Sequence, residues 1–166
     1  MFSGGEPLLQ NGFLFECLKL CRENGIHTAV DTAGCLPFDR FEPLLPYVNL
    51  FLYDVKLINE AEHIKYTGVS NALILENLRK LADAGANVTV RTVLLPGIND
   101  NAAYFAEFAR FIAGFGVKNI DVLPYHGMGE NKYAQIGEEY RFAGRAAPDE
   151  KLTAQFREII QQTIKR

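Results

Sequence analysis

Side chains of the kinds that grip charged ligands recur at the ends of short apolar runs in this sequence. Glu6 follows Gly4-Gly5 and precedes Pro7, Asp31 and Thr32 follow His27–Val30, and Asp54 and Lys56 close the run from Val48 to Tyr53. Arg91 lies inside the run Val88–Leu95, and His126 follows Ile120–Leu123. The carboxylates of Glu6, Asp31 and Asp54 suit an ammonium or a hard cation, whereas Lys56 and Arg91 suit a carboxylate. Paired glycines let a ligand approach the backbone, and Pro7 ends the run by fixing φ and removing a donor. Plainer readings exist for each group. Gly4–Pro7 is compatible with an ordinary turn, Asp54 and Lys56 with an ion pair on one strand face, and His126 before Gly127 with a turn. A Schiff base on Lys56 is a further chemistry open to the same residues.

The elements that must position these groups read as βα units. A helix over Asn11–Asn24 places Leu14, Cys17, Leu18 and Cys21 on one buried stripe, and Gly25 closes it. His27–Val30 and Val48–Tyr53 read as strands, with a brief helix at Phe38–Leu45 between them. Asn71 is placed to cap a helix buried through Ile74, Leu75, Leu78, Leu81 and Ala82 and closed by Gly85. Val88–Leu95, a helix over Asn101–Phe115 with Phe105, Phe108, Ala109 and Ile112 inward, and Ile120–Leu123 follow. Residues Gly127–Ala147 read as a loop over one end of the sheet, and Pro148-Asp149-Glu150 starts a last helix packed through Leu152, Phe156, Ile159 and Ile160. This alternation predicts an α/β fold with a parallel sheet in one domain, residues 1–166, with the polar groups converging at the strands' C-terminal ends. His27 reads as structural, His63 as solvated on a polar helical stretch, and Phe105, Phe108, Phe111 and Phe115 as core and helix surface.

Composition narrows the partners. With 48% hydrophobic residues over 166, the chain can bury an ordinary core, and a net charge of −3 gives no basic excess for nucleic acid. No apolar run reaches the roughly 20 residues of a membrane span. Three cysteines without framework spacing read as free thiols in a cytoplasmic protein.

Gly4-Gly5-Glu6-Pro7 resembles the methionine-binding motif of radical S-adenosylmethionine enzymes. His27–Gly34, Leu50–Lys56, Tyr66–Asn71, Val93–Asp100 and Leu123–Tyr133 resemble, in order, successive blocks of the glycyl-radical-enzyme activases of that class. The resemblance implies a partial (βα)6 TIM-like barrel lacking its first βα unit. It implies S-adenosylmethionine as cofactor, held by Gly4, Gly5, Glu6, Pro7, Asp31, Lys56, Arg91 and His126. Glu6 would receive the ammonium, Lys56 the carboxylate, and no residue would act as acid or base. A monovalent cation would sit at Asp31, Thr32, Asp54 and the Leu52 carbonyl. The implied partners are a glycyl-radical enzyme such as pyruvate formate-lyase and an electron donor such as flavodoxin or ferredoxin; Glu130, Lys132 and Tyr133 either touch the protein partner or are simply solvated.

The family's [4Fe–4S] cluster is held by cysteines spaced C-x3-C-x2-C, and this chain lacks that motif. Cys17 and Cys21 have the first spacing, but Asn24 takes the third position and the pair falls on a helix after the glycine motif. The cluster ligands are therefore expected upstream of Met1, whether a cut or a mis-assigned start removed them, and the separate chain is expected to be inactive. A genuine binding module for S-adenosylmethionine or for a protein is the alternative.

Overall fold

The sheet is built from four strands, β1 (Ala29–Thr32), β2 (Leu50–Asp54), β3 (Val88–Leu94) and β4 (Asn119–Pro124); buried residues alternate with half-buried ones in the first three, whereas β4 buries Val122 alone. The structure, a computed structural model, describes residues 1–127, 135, 137 and 144–165. All neighbouring strands are parallel, in the order β1-β2-β3-β4. Helices α1 (Asn11–Glu23), α2 (Glu60–Thr67), α3 (Ala72–Asp83), α4 (Ala102–Ala113) and α5 (Glu150–Ile164) supply the other layer. Phe2 adds a single parallel bridge to Val30, with its N–H 2.7 Å from the Ala29 carbonyl. The α/β expectation is met, and the arrangement is part of the wall of a βα barrel.

Alternation sorts the side chains. Val30, Phe51, Tyr53, Val88, Val90 and Leu94 are buried and pack with Leu14, Leu18, Ile74, Leu78, Leu81, Phe105 and Phe108. Each such side chain taken from water contributes about 1.5–3 kcal/mol. The opposite face carries Asp31, Leu52, Asp54, Thr89 and Arg91, all half-buried. The registers Asp31↔Leu52↔Thr89 and Asp54↔Arg91↔Asp121 place these on adjacent rungs.

Several local expectations need correction. β1 begins two residues later than expected, so Asp31 and Thr32 lie within it; their backbone is held by Phe2 and β2. The brief helix is two 3₁₀ turns, Phe38–Arg40 and Glu42–Leu44, because Pro37 and Pro43 interrupt the donors. Asn71 stands at the start of α3 without capping it. Its Nδ2 donates to the Leu57 and Ile58 carbonyls, and the Ser70 hydroxyl accepts the Ala72 N–H instead. His63 is buried, not solvated: its Nδ1 lies 2.7 Å from the Val69 carbonyl, tying α2 to the segment after it. Cys17 and Cys21 are only half-buried, since Leu14 and Leu18 define the inward line of α1. Glu130, Lys132, Tyr133 and most of the expected loop Gly127–Ala147 lie outside the described residues.

Candidate functional site

Glu6 closes the glycine turn and caps the 3₁₀ turn Pro7–Gln10. Gly4 and Gly5 adopt φ of 101° and 61°, a region costly for other residues, so the pair is what allows Glu6 to turn back onto β1. Its carboxylate accepts from the Thr32 hydroxyl at 2.9 and 3.0 Å, from the Ala33 N–H at 3.0 Å and from the Leu8 N–H at 3.3 Å. An acceptor fixed by that many donors is preorganised for a cationic ligand.

Arg91 sits beside both aspartates. Its Nε and Nη2 lie 2.9 and 2.7 Å from Asp54 Oδ1, and Nη2 also donates to Asp31. Ser3 donates to the other Asp31 oxygen at 3.1 Å, and Lys56 Nζ lies 2.8 Å from Asp54 Oδ2. The Lys56 backbone carbonyl accepts from Thr92 at 3.2 Å. Burial by itself would lower the Arg91 pKa, but the charges and hydrogen bonds of Asp54 and Asp31 outweigh it and hold the value above its ordinary level. The Lys56 side chain keeps 40% exposure while the Arg91 side chain keeps 16%, so Lys56 is the more accessible of the two cations to a ligand.

The structure thus brings together Gly4, Gly5, Glu6, Pro7, Asp31, Thr32, Asp54, Lys56 and Arg91 on one rim. Leu52 is half-buried on the same face, in register with Asp31. His126 is exposed two residues beyond β4 and takes no part in the Glu6–Asp31–Asp54–Arg91 network. Among the described residues, no three of His, Cys, Asp and Glu group as metal ligands. Cys35 is exposed just after the Thr32–Gly34 segment, far in sequence from Cys17 and Cys21.

Sequence reasoning missed Ser3, Tyr53 and Asn77. Tyr53 donates to the Ile74 carbonyl at 2.7 Å and lies beneath Gly34. Burial pushes its hydroxyl above the usual tyrosine range, with Cys35 and Glu6 adding to the shift. Asn77 is fully buried on α3 and donates to the Gly34 and Leu36 carbonyls. The legible signal was an amide on the stripe Ile74–Leu78–Leu81.

A partial βα barrel whose strand ends gather acids, a lysine and an arginine behind a glycine-rich turn defines a class that binds charged cofactors at that rim. The family model that matches is the radical SAM superfamily, over residues 1–112. The chain is 35% identical over 162 residues to the trans-4-hydroxy-L-proline dehydratase activating enzyme of Clostridioides difficile, covering 96% of this chain and 54% of that protein. It is 37% identical over 166 residues to the pyruvate formate-lyase-activating enzyme of Listeria monocytogenes, covering 96% and 67%. A crystal structure of a domain of pyruvate-formate lyase-activating enzyme from Bacteroides vulgatus superposes with a TM-score of 0.77 at 30% identity, covering 98% of this chain and 92% of that one. The chain therefore belongs to the radical SAM superfamily, among its glycyl-radical-enzyme activating enzymes. It spans about half the length of several curated relatives that it matches. Radical SAM enzymes use S-adenosylmethionine and a [4Fe–4S] cluster.

Proposed function

We propose that this chain is the cofactor-gripping core of an activase that installs a glycyl radical on a partner enzyme such as pyruvate formate-lyase. The observation that carries the reading is the convergence of Glu6, Asp31, Asp54, Lys56 and Arg91 on one sheet edge. When bound, S-adenosylmethionine would supply the radical chemistry by which an activase takes a hydrogen atom from a glycine Cα of its partner, while the residues of this chain hold its amino-acid end.

The residues present fit S-adenosylmethionine. The Glu6 carboxylate, fixed by Thr32 and Ala33, receives the ammonium beside Gly4, Gly5 and Pro7. The accessible Lys56 ammonium receives the carboxylate. Arg91 holds Asp31 and Asp54 in place while lining the pocket, and His126, exposed beyond β4, lines its outer side. A monovalent cation at Asp31, Thr32, Asp54 and the Leu52 carbonyl would share both carboxylates with Arg91. The cluster does not fit this chain: the half-buried Cys17 and Cys21 on α1 and the exposed Cys35 offer no ligand set. The separate chain is inactive in this reading.

Residues 1–166 form one core unit in this reading, working in the cytoplasm with a flavodoxin or ferredoxin as electron donor. Titration of the isotopically labelled chain with millimolar S-adenosylmethionine tests the site. Resonance shifts confined to Glu6, Ala33, Lys56 and Arg91 are expected, and shifts centred elsewhere would overturn it. In the genomic DNA, in-frame codons for C-x3-C-x2-C before Met1 support the activase. A stop codon with a ribosome-binding site there favours a binding module.

A further inference from the structure

We infer that Asn77 is a positioning residue for the Glu6 carboxylate, acting through the Gly34 segment. The inference rests on the reading that Glu6 receives the cofactor's ammonium. Asn77 sits among Ile74, Leu78 and Leu81 on the buried side of α3 and is itself fully buried. A hydrophobic residue would fill that place at no desolvation cost, so the amide is retained for what it donates. Both of its donations run to one short segment: Nδ2 lies 2.8 Å from the Gly34 carbonyl and 2.6 Å from the Leu36 carbonyl. Its Oδ1 finds no partner, so Nδ2 alone fixes the side chain.

From Gly34 the contacts lead directly to Glu6. The Gly34 N–H donates to the Thr32 hydroxyl at 3.0 Å, and that hydroxyl donates to both Glu6 oxygens. The Ala33 N–H, one residue before the clamp, donates to Glu6 Oε2 at 3.0 Å. Tyr53 reaches the Gly34 carbonyl only at 3.5 Å, its shorter bond going to Ile74. Asn77 is thus the main tie between α3 and the peptide whose hydroxyl and N–H aim the carboxylate. It touches neither Glu6 nor any ligand position.

A residue that merely packed would lower stability everywhere and leave the Glu6 geometry alone. The two roles separate in an NMR experiment on the labelled 166-residue chain. Its readouts are the exchange rate of the Ala33 amide and the through-hydrogen-bond coupling between Ala33 N and Glu6 Cδ. Asn77→Leu removes both donations at similar volume. The Ala33 amide should then exchange about tenfold faster or more, and the coupling should vanish, while β3 amides such as Val90 keep their protection. Phe156→Leu, in the cluster that Phe156 and Ile160 of α5 form with Leu94, Phe105 and Val122, should lower overall protection without disturbing the Ala33–Glu6 coupling. If Asn77→Leu instead reduces Ala33 and Val90 protection in equal proportion and preserves the coupling, the inference fails. Should the leucine variant not fold, Asn77→Ser, too short to reach both carbonyls, is read by the same two outcomes. The readout needs no ligand, so the two failures are told apart: a failed S-adenosylmethionine titration sinks the functional reading, whereas an undisturbed Ala33–Glu6 coupling in Asn77→Leu sinks the positioning role alone.

Discussion

Arg91 and Asp54 occupy one rung of the sheet, and two nitrogens of the guanidinium, Nε and Nη2, meet the single oxygen Oδ1 at 2.9 and 2.7 Å. Asp54 is also paired with Lys56 and Arg91 with Asp31, so the four side chains form a chain of alternating sign across the rim. Removing one member of such a set leaves its neighbours uncompensated. Arg91→Ala, which leaves Asp31 without a cation and Asp54 with Lys56 alone, both carboxylates at about a fifth exposure, should therefore cost about 2 kcal/mol, less than a fully buried pair would. Asp54→Asn should cost less, because Lys56 can turn to water. Urea unfolding midpoints check both, and Arg91→Ala as stable as wild type would show that the network is only a surface decoration.

Alkaline pH should weaken the fold through buried phenols. Burial raises the Tyr104 pKa to about 12 and pushes Tyr53 up as well, whereas both titrate near 10 when unfolded. A folded-state pKa raised above the unfolded one means that the unfolded chain gives up its proton first. Stability is thus intact below pH 10 and falls as pH climbs from there through 12, by up to about 1.4 kcal/mol per pH unit for each tyrosine. Tyr104→Phe should flatten that fall in urea midpoints taken at successive alkaline pH values. An unchanged slope would contradict the assignment.

The α/β order, helices α1, α3, α4 and α5, and the rim residues were legible because each rests on local pattern: apolar spacing, a glycine closing a helix, a polar residue after a β-branched run. Strand ends were less so. Asp31 and Thr32 are in β1 only because Phe2 and β2 supply partners, and pairing is a property of distant segments. His63 looked solvated since its helix is polar, yet the Val69 carbonyl draws it inward. Asn71 has the right type and place for a cap, but the carbonyls of Leu57 and Ile58 compete for its amide and win. That Arg91 would pair with Asp31, sixty residues away, depends on the register of three strands.

Affinity for S-adenosylmethionine should be weak in this chain by itself. The rim offers Glu6 and Lys56 to the amino-acid end, both open enough to water that each contact gives little net energy. Without iron to chelate the amino and carboxylate groups, calorimetry should detect no micromolar binding. A micromolar dissociation constant without added iron would mean that the pocket grips the cofactor by side chains alone.

Apolar exposure on α1 and the residues flanking it predicts self-association. Leu9, in the 3₁₀ turn before α1, is 64% exposed, and Phe13 and Leu20, 72% and 61% exposed, fall on the side of α1 away from Leu14 and Leu18. An apolar face of this kind favours contact with another apolar surface over water. Sedimentation at increasing concentration should show dimers or larger species, and Phe13→Glu with Leu20→Lys should shift them towards monomer. A wild-type chain that stays monodisperse and binds little hydrophobic dye would count against this.

Gly34→Ala gives the sharpest steric test of the rim. Gly34 adopts φ +72°, and a Cβ there would lie 1.9 Å from the Tyr53 hydroxyl oxygen and 2.2 Å from the ring carbon that bears it. The substitution must therefore either lift the Thr32–Leu36 segment or drive Tyr53 out of the core, costing about 3 kcal/mol in urea unfolding. Deleting the hydroxyl should not rescue it, because in Tyr53→Phe the ring carbon remains and still collides. The double variant should be no more stable than Gly34→Ala alone. Recovery to wild-type stability would show that the hydroxyl alone makes the clash and that the segment holding Glu6 has room the ring does not deny it.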